Sequence, residues 1–350
     1  MPSADSPDTI LIASWLEPEH VGRIRAAAKD LTVLHHPELL RPPRYPGDHT
    51  GRAIERSEAE EARWREALAR ATILFDFDTT HVADLPERAP RLRWVQATSA
   101  GIGHFVRRNG YAERMPDTVF TTASGVHARP LAEFAAMSIL AHARGLLHMV
   151  EAQEARLWER FAGTDVVGRT VLVVGHGAIG QEVGRVCRAL GMTVLGVKRH
   201  PSGVAPASVH ADELHGPDAL GGLWPRAEYV VLTAPHTDET EALVGADELA
   251  ALPRGAVLIN VGRGALVDEA ALVASLRSHH LGGAFLDVFE EEPLPEDSPL
   301  WDLSGVLVSP HSASTSDREN RRIVDLFCEN LRRWRAGEEL LNVLDPERMY

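Results

Sequence analysis

The chain has 350 residues, 44% hydrophobic and 25% charged, with a formal net charge of -14. That length is long for a single core and favours two domains, and the acidic balance opposes general affinity for nucleic acid or anionic membrane. The two cysteines, Cys187 and Cys328, exclude a disulfide framework and a cysteine-based metal site; they suit a reducing, cytoplasmic compartment. At the N-terminus, Met1-Pro-Ser-Ala-Asp-Ser-Pro-Asp8 lacks a basic segment followed by an apolar one, so no signal peptide is expected. No apolar run reaches membrane-spanning length.

Short apolar runs alternating with helical patterns predict an α/β protein with parallel sheets. In the first part, strands are expected at 9–13, 31–35, 71–75, 92–97 and 118–122, with helices at 19–29 and 57–70. The segment 37–56 contains Arg-Pro-Pro-Arg-Tyr-Pro-Gly-Asp, too proline-rich for a helix or central strand, and reads as a surface loop near an active-site mouth. A long helix is expected from about 130 to 158, with Leu131, Phe134, Ile139 and Leu140 at helical spacing and Pro130 in its first turn. Strands follow at 170–174, 193–197, 229–233, 256–261, 283–288 and 306–309, and a helix at 317–335 should return to the first domain. The expected organisation is an inserted domain, 129–311, within a discontinuous one, 1–128 with 312–350. No internal repeat is evident.

The inserted part opens with Val171-Leu-Val-Val-Gly175-His-Gly177-Ala178-Ile179-Gly180. An apolar strand running into Gly-x-Gly-x-x-Gly is the pattern of a dinucleotide site. The first glycine allows a tight turn, the second admits a pyrophosphate, and the third packs helix on strand. Amides at the helix N-terminus then face the phosphates. Roughly 20 residues on, where an acidic residue would hold an NAD ribose, the next strand ends in Lys198-Arg199-His200. Cations there suit a 2′-phosphate, so NADP is the preferred cofactor, with NAD possible.

Three further loops follow strands, at the edge where open α/β sheets bind ligands. Val257-Leu-Ile-Asn-Val261-Gly262-Arg263-Gly264 places an arginine between glycines. Ala284-Phe-Leu-Asp287-Val-Phe-Glu290-Glu-Glu292-Pro293 ends a strand in carboxylates, and Val306-Leu-Val-Ser-Pro310-His311 ends one in a histidine. Arginine can hold a carboxylate through two parallel hydrogen bonds. Histidine can exchange a proton with a carbonyl or hydroxyl oxygen near neutral pH, and a carboxylate beside it would fix its tautomer and favour its protonated form.

With these motifs in place, the chain resembles the D-isomer-specific 2-hydroxyacid dehydrogenases, most densely from Leu92 to Ser314. Other matching segments are Ala97-Thr-Ser99-Ala100-Gly101-Ile102, Ala123-Ser-Gly-Val-His127, Pro130-Leu-Ala-Glu133-Phe-Ala, Leu232-Thr-Ala234-Pro235-His-Thr-Asp-Glu-Thr240 and Asn260-Val-Gly-Arg-Gly-Ala-Leu-Val-Asp268. The resemblance implies two Rossmann- or flavodoxin-like domains, with the cofactor domain inserted into the substrate domain. It implies a substrate-binding Arg263 and a catalytic pair, His311 with Glu292. Ser99, Ala100 and Gly101 would receive the substrate carboxylate. Ala234, Pro235, Thr240, Val261, Gly262, Arg263, Asp287 and His311 would line the cofactor. The implied activity is reduction of small 2-oxoacids, glyoxylate and hydroxypyruvate first, to D-2-hydroxy acids in a homodimer without metal.

Other readings stand beside these. The fold also serves a nucleotide-sensing corepressor, and phosphite and formate dehydrogenases; formate dehydrogenases carry glutamine where this chain has Glu292. Glu290 and Glu291 read as a solvated charge patch. His127 is a candidate for the substrate site but more readily structural, and His176 reads as a tolerated turn residue.

Overall fold

The computed structural model describes residues 7–345. The first six residues of the segment considered for a signal peptide lie outside them. The chain forms two compact units, Met1–His127 with Thr315–Tyr350, and Ala128–Ser314.

The first unit contains five strands: β1 (Thr9–Ile12), β2 (Thr32–Leu34), β3 (Ile73–Phe75), β4 (Trp94–Gln96) and β5 (Val119–Thr121). All pair in parallel, in the order β2-β1-β3-β4-β5. Side chains alternate across the sheet: Leu11 enters one apolar cluster, while Ile10 and Ile12 enter the other. Full burial of each such side chain stabilises the fold by roughly 1.5–3 kcal/mol relative to exposure. The helix Glu58–Arg70 starts at a capping box, in which Ser57 Oγ accepts from the Glu60 amide and the Glu60 carboxylate accepts from the Ser57 amide. The helix Glu319–Ala336, one or two residues from its expected bounds, packs on Pro18–Ala27 and pairs Asp325 with Arg23.

The second unit contains β6 (Thr170–Val174), β7 (Thr193–Val197), β8 (Glu213–His215), β9 (Tyr229–Leu232), β10 (Val257–Asn260), β11 (Gly283–Leu286) and β12 (Val306–Val308). Their order is β12-β11-β10-β9-β6-β7-β8, parallel throughout. Strands covered on both faces read as continuous apolar runs. In β9, Val230 and Leu232 join one core while Tyr229 and Val231 join the other. The chain is thus α/β, with two doubly wound parallel sheets.

Two expectations need correction. The helix expected over 130–158 is two helices, Ala128–Ala143 and Leu146–Glu154, broken at Gly145 with φ +65°. A Cβ there would overlap the edge of the Phe161 ring, so the break suits glycine for both backbone and packing reasons. The edge strand β8 escaped prediction because Glu213-Leu-His215 is only half-buried and has no apolar run. Segment 37–56 is a loop apart from one 3₁₀ turn, Pro37–Leu39. No helix among the described residues is long and apolar enough to cross a membrane.

Candidate active site

The second sheet reverses its strand order between β6 and β9, and the glycine motif leaves β6 at that point. Gly175 has φ +99°, and a Cβ on it would overlap the Ala234 backbone at the end of β9. A Cβ at Gly180 would lie 2.6 Å from the Gly175 carbonyl oxygen, so this glycine lets the helix Ala178–Ala189 close onto the strand. A Cβ at Gly177 would meet nothing within 4 Å. Open space there, ahead of free amides at a helix N-terminus, fits an approaching pyrophosphate. Ala178 and Ile179 form the first turn of that helix.

His176 is not a tolerated turn residue. It is wholly buried, its Nε2 donates to the Val209 carbonyl at 2.7 Å, and its ring packs against Gly196 and Gly184. Burial pulls its pKa below the ordinary imidazole value. The ring therefore ties the glycine loop to the segment after β7.

Lys198, Arg199 and His200 follow β7 as expected, with Arg199 and His200 exposed. Arg199 meets a partner the sequence did not suggest: its Nη2 donates to Glu239 at 2.6 Å. Glu239 lies in the loop after β9, which Thr240 shapes by donating its hydroxyl to the Pro235 carbonyl at 2.8 Å.

The loops after β10, β11 and β12 form one interlocked structure. Asn260, buried at the end of β10, accepts from the Gly262 amide at 3.1 Å and donates to the Arg263 carbonyl at 2.9 Å. Val261 donates its amide to Leu232 of β9. The Arg263 guanidinium donates to the Gly262 carbonyl at 2.7 Å. Burial lowers the Arg263 pKa and the nearby Glu292 opposes the shift; arginine stays charged regardless. Gly264 is needed because a Cβ would overlap the Phe289 carbonyl group. On the other side of that contact, Glu292 Oε1 accepts from the Phe289 amide at 3.1 Å, and Oε2 accepts from His311 Nδ1 at 2.7 Å.

His311 has φ +52°, a left-handed conformation uncommon for a non-glycine residue. Its amide donates to the carbonyls of Asp287 and Ser309 at 2.9 and 3.0 Å. Asp287 is buried, and its Oδ1 accepts from the Ser309 hydroxyl and from the Ser312 and Ala313 amides. Desolvation raises the Asp287 pKa, with these bonds acting against it. Asp287 thus folds the histidine loop. The anchors Asn260, Gly264 and Asp287 explain how the arginine, glutamate and histidine are held; a polar residue closing the apolar run of β10 was the one visible signal of Asn260.

In the first unit, Ser99, Ala100 and Gly101 form a turn after β4 and before the helix Gly103–Arg108. Gly101 donates its amide to Ser99 Oγ at 3.3 Å, and Ser99 accepts from the Ala123 amide at 3.0 Å. His127 bonds Glu319 at 3.2 Å, which accounts for it structurally. Among the described residues no cluster of histidine, cysteine, aspartate and glutamate has the form of a metal site.

A glycine loop at a sheet reversal, with acid, base and cation on neighbouring strand ends, defines an NAD(P)-dependent oxidoreductase. The chain belongs to the D-isomer-specific 2-hydroxyacid dehydrogenase family, whose NAD-binding domain matches residues 136–313. It is 34% identical to (S)-sulfolactate dehydrogenase of Chromohalobacter salexigens over 71% of this chain and 80% of that one. It is 31% identical to glyoxylate reductase of Korarchaeum cryptofilum, over 76% and 80%. A D-isomer-specific 2-hydroxyacid dehydrogenase of Xanthobacter autotrophicus, crystallised with NADPH and MES, superposes with a TM-score of 0.77 at 32% identity, covering 99% of this chain and 100% of that one.

Proposed function

We propose that this protein reduces small 2-oxoacids to D-2-hydroxy acids with NADPH, glyoxylate and hydroxypyruvate being the first substrates to try. The observation that carries this reading is the 2.7 Å bond from His311 Nδ1 to Glu292. It fixes the ring and leaves Nε2 to exchange a proton with the substrate oxygen. Arg263, on the adjoining loop, would hold the substrate carboxylate and stabilise negative charge growing on the carbonyl oxygen. The turn Ser99-Ala100-Gly101 would offer further hydrogen bonds to that carboxylate. When bound, a reduced nicotinamide supplies the hydride.

Gly175, Gly177 and Gly180, with the amides of the helix they open, would hold the cofactor's pyrophosphate. Ala234, Pro235, Thr240, Val261, Gly262 and Asp287 line the adjoining strand ends. Preference for NADPH is supported by Lys198 and Arg199 after β7, and NADPH or NADP is bound in crystal structures of two family members similar to this chain. The two free cysteines suit a cytoplasmic site of action.

We also propose a homodimer. Segment 137–167 exposes Met137, Leu146, Val150, Leu157, Trp158 and Phe161, with Trp158 99% exposed, and such a concentration of exposed apolar side chains in one segment supports an interface. Sedimentation should show a two-chain mass, reduced to one chain by replacing Leu157 and Trp158 with aspartate.

The test of activity is a panel of glyoxylate, hydroxypyruvate, pyruvate and bulkier oxoacids, assayed by absorbance with NADPH and NADH. Turnover with NADPH exceeding that with NADH is expected. No turnover of any oxoacid overturns the reductase assignment, and preference for NADH overturns that of the cofactor.

A further inference from the structure

A polar recess in the first unit takes no part in the chemistry assigned above. The order β2-β1-β3-β4-β5 reverses between β1 and β3, and in open α/β sheets ligands bind outside the carboxyl ends of strands at such a point. The recess lies there. Ser14 follows β1, Asp78 and Thr80 follow β3, and the loop 37–56 adds Arg41, His49 and Arg56.

Most of its polar groups are already satisfied within the protein. Arg56 donates to the Leu39 carbonyl at 2.6 Å and to Thr80 at 3.0 Å, and pairs with Glu61 at 3.4 Å. Asp78 accepts from Thr80 at 2.6 Å, from Trp64 at 3.2 Å and from His81 at 2.7 Å. Two nitrogens are left over: Arg41 Nε and His49 Nε2 are shielded from solvent and have no hydrogen-bond partner. The other ring nitrogen of His49 is engaged with Ser14 Oγ at 3.3 Å. Arg41 also donates from Nη1 to the Thr50 carbonyl at 3.5 Å. Buried polar groups are paired in the great majority of cases, so these two nitrogens are donors open to an acceptor from outside the chain, a water or an anion.

The loop that presents these groups is firmly built. Asp48, buried beneath it, accepts from the Arg44 amide and guanidinium at 2.7–2.9 Å and from the Gly51 amide at 3.0 Å. Gly51, with φ +64°, lies so close to Arg41 that a Cβ would stand 2.6 Å from the arginine's Cβ. Arg41 and His49 are therefore held on opposite arms of a closed loop.

We propose that this recess binds a second anionic group, a carboxylate or sulfonate, at the far end of the oxoacid substrate, with Arg41 and His49 donating to it. The proposal rests on the reductase reading, in which the turn after β4 receives the first carboxylate. Only β3 lies between β1 and β4, so recess and turn are one to two strand spacings apart, roughly 5–10 Å. A short dianionic oxoacid covers that distance. Asp76, buried just after β3, accepts from the Phe77 amide at 2.9 Å and from the Thr98 amide at 3.5 Å, and its carboxyl interacts electrostatically with His49.

The experiment compares kcat/KM for glyoxylate, pyruvate, oxaloacetate and 3-sulfopyruvate in the wild type, Arg41→Gln and His49→Gln. The wild type should favour at least one dianionic acid over pyruvate by about tenfold or more, the effect of one charge-assisted hydrogen bond. Arg41→Gln should lower that ratio by about tenfold, mainly through KM, and His49→Gln by less. Whichever of oxaloacetate and 3-sulfopyruvate shows the preference identifies the anion. If pyruvate is reduced as well as both dianionic acids, or if a folded Arg41→Gln keeps the wild-type ratio, the recess proposal fails and the reductase reading stands. If no oxoacid is reduced, the reductase reading fails. Calorimetric titration with sulfoacetate then decides the recess separately: binding lost in Arg41→Gln supports an anion site, and no binding to the wild type overturns it.

Discussion

The two sheets reverse strand order at corresponding points, β6/β9 and β1/β3, yet furnish those points with opposite materials. At β6/β9 the surface is backbone: a left-handed Gly175, an open Gly177 and the amides of a helix N-terminus. At β1/β3 it is side chain, Arg41 and His49 carried on a loop closed by Asp48. Backbone amides suit any phosphate and demand a strict short motif. Side chains on a loop select by charge and shape, and can change without disturbing a strand. On the two proposals above, the shared ligand would be gripped by main chain and the variable one by side chains.

Four changes would break or sharpen that division. His311→Ala removes the proposed proton donor and should lower kcat about 10²- to 10⁴-fold for every oxoacid reduced; a loss confined to one substrate would make the histidine a selector. Gly175→Ala attacks the main-chain grip. It puts a Cβ against the Ala234 backbone at a positive φ, costing roughly 1–3 kcal/mol, and NADPH affinity by fluorescence titration should fall by tenfold or more, or about 1.4 kcal/mol. Unaltered affinity would mean that main-chain geometry is not the grip.

Asp48→Asn tests the loop. The Arg44 guanidinium beside Asp48 holds its carboxyl well below the usual carboxylate range. A depressed folded-state value means the stabilisation is fully present above the unfolded pKa of about 3.9 and is lost as pH falls towards the folded value. Urea unfolding should show a deficit of about 1–3 kcal/mol at pH 7, shrinking below about pH 4. A deficit that is constant with pH would mean the charge is not what closes the loop. The smallest effect belongs to Glu239→Gln, which removes one exposed ion pair of Arg199, worth up to about 1 kcal/mol. NADPH should bind up to about fivefold more tightly, with NADH unchanged; an equal gain for NADH would remove Arg199 from the 2′-phosphate.

What the sequence made legible follows the same line. Parallel strands covered on both faces leave continuous apolar runs such as Val171-Leu-Val-Val174, and a main-chain ligand site leaves glycines at fixed spacing, so both were visible. The half-buried edge strand β8 leaves neither pattern. The helix break at Gly145 depends on Phe161 lying beneath it, which no local pattern reveals. His176 reads as a turn residue from its neighbours but is buried against Gly196 and Gly184, far along the chain. The pairing of Arg199 with Glu239 and the anchoring role of Asp287 are likewise long-range. Arg263, Glu292 and His311 were legible as residue types on strand ends, while the bonds holding them were not.

The absent side chain of Gly264 has a practical consequence. Because the loop after β11 occupies the space where its Cβ would stand, the segments bearing Arg263 and Glu292 cannot be exchanged one at a time between relatives with different backbone paths. His311 is joined to the same assembly through Glu292 and Asp287. For an engineer recombining family members, the three loops are one cassette, to be transplanted whole.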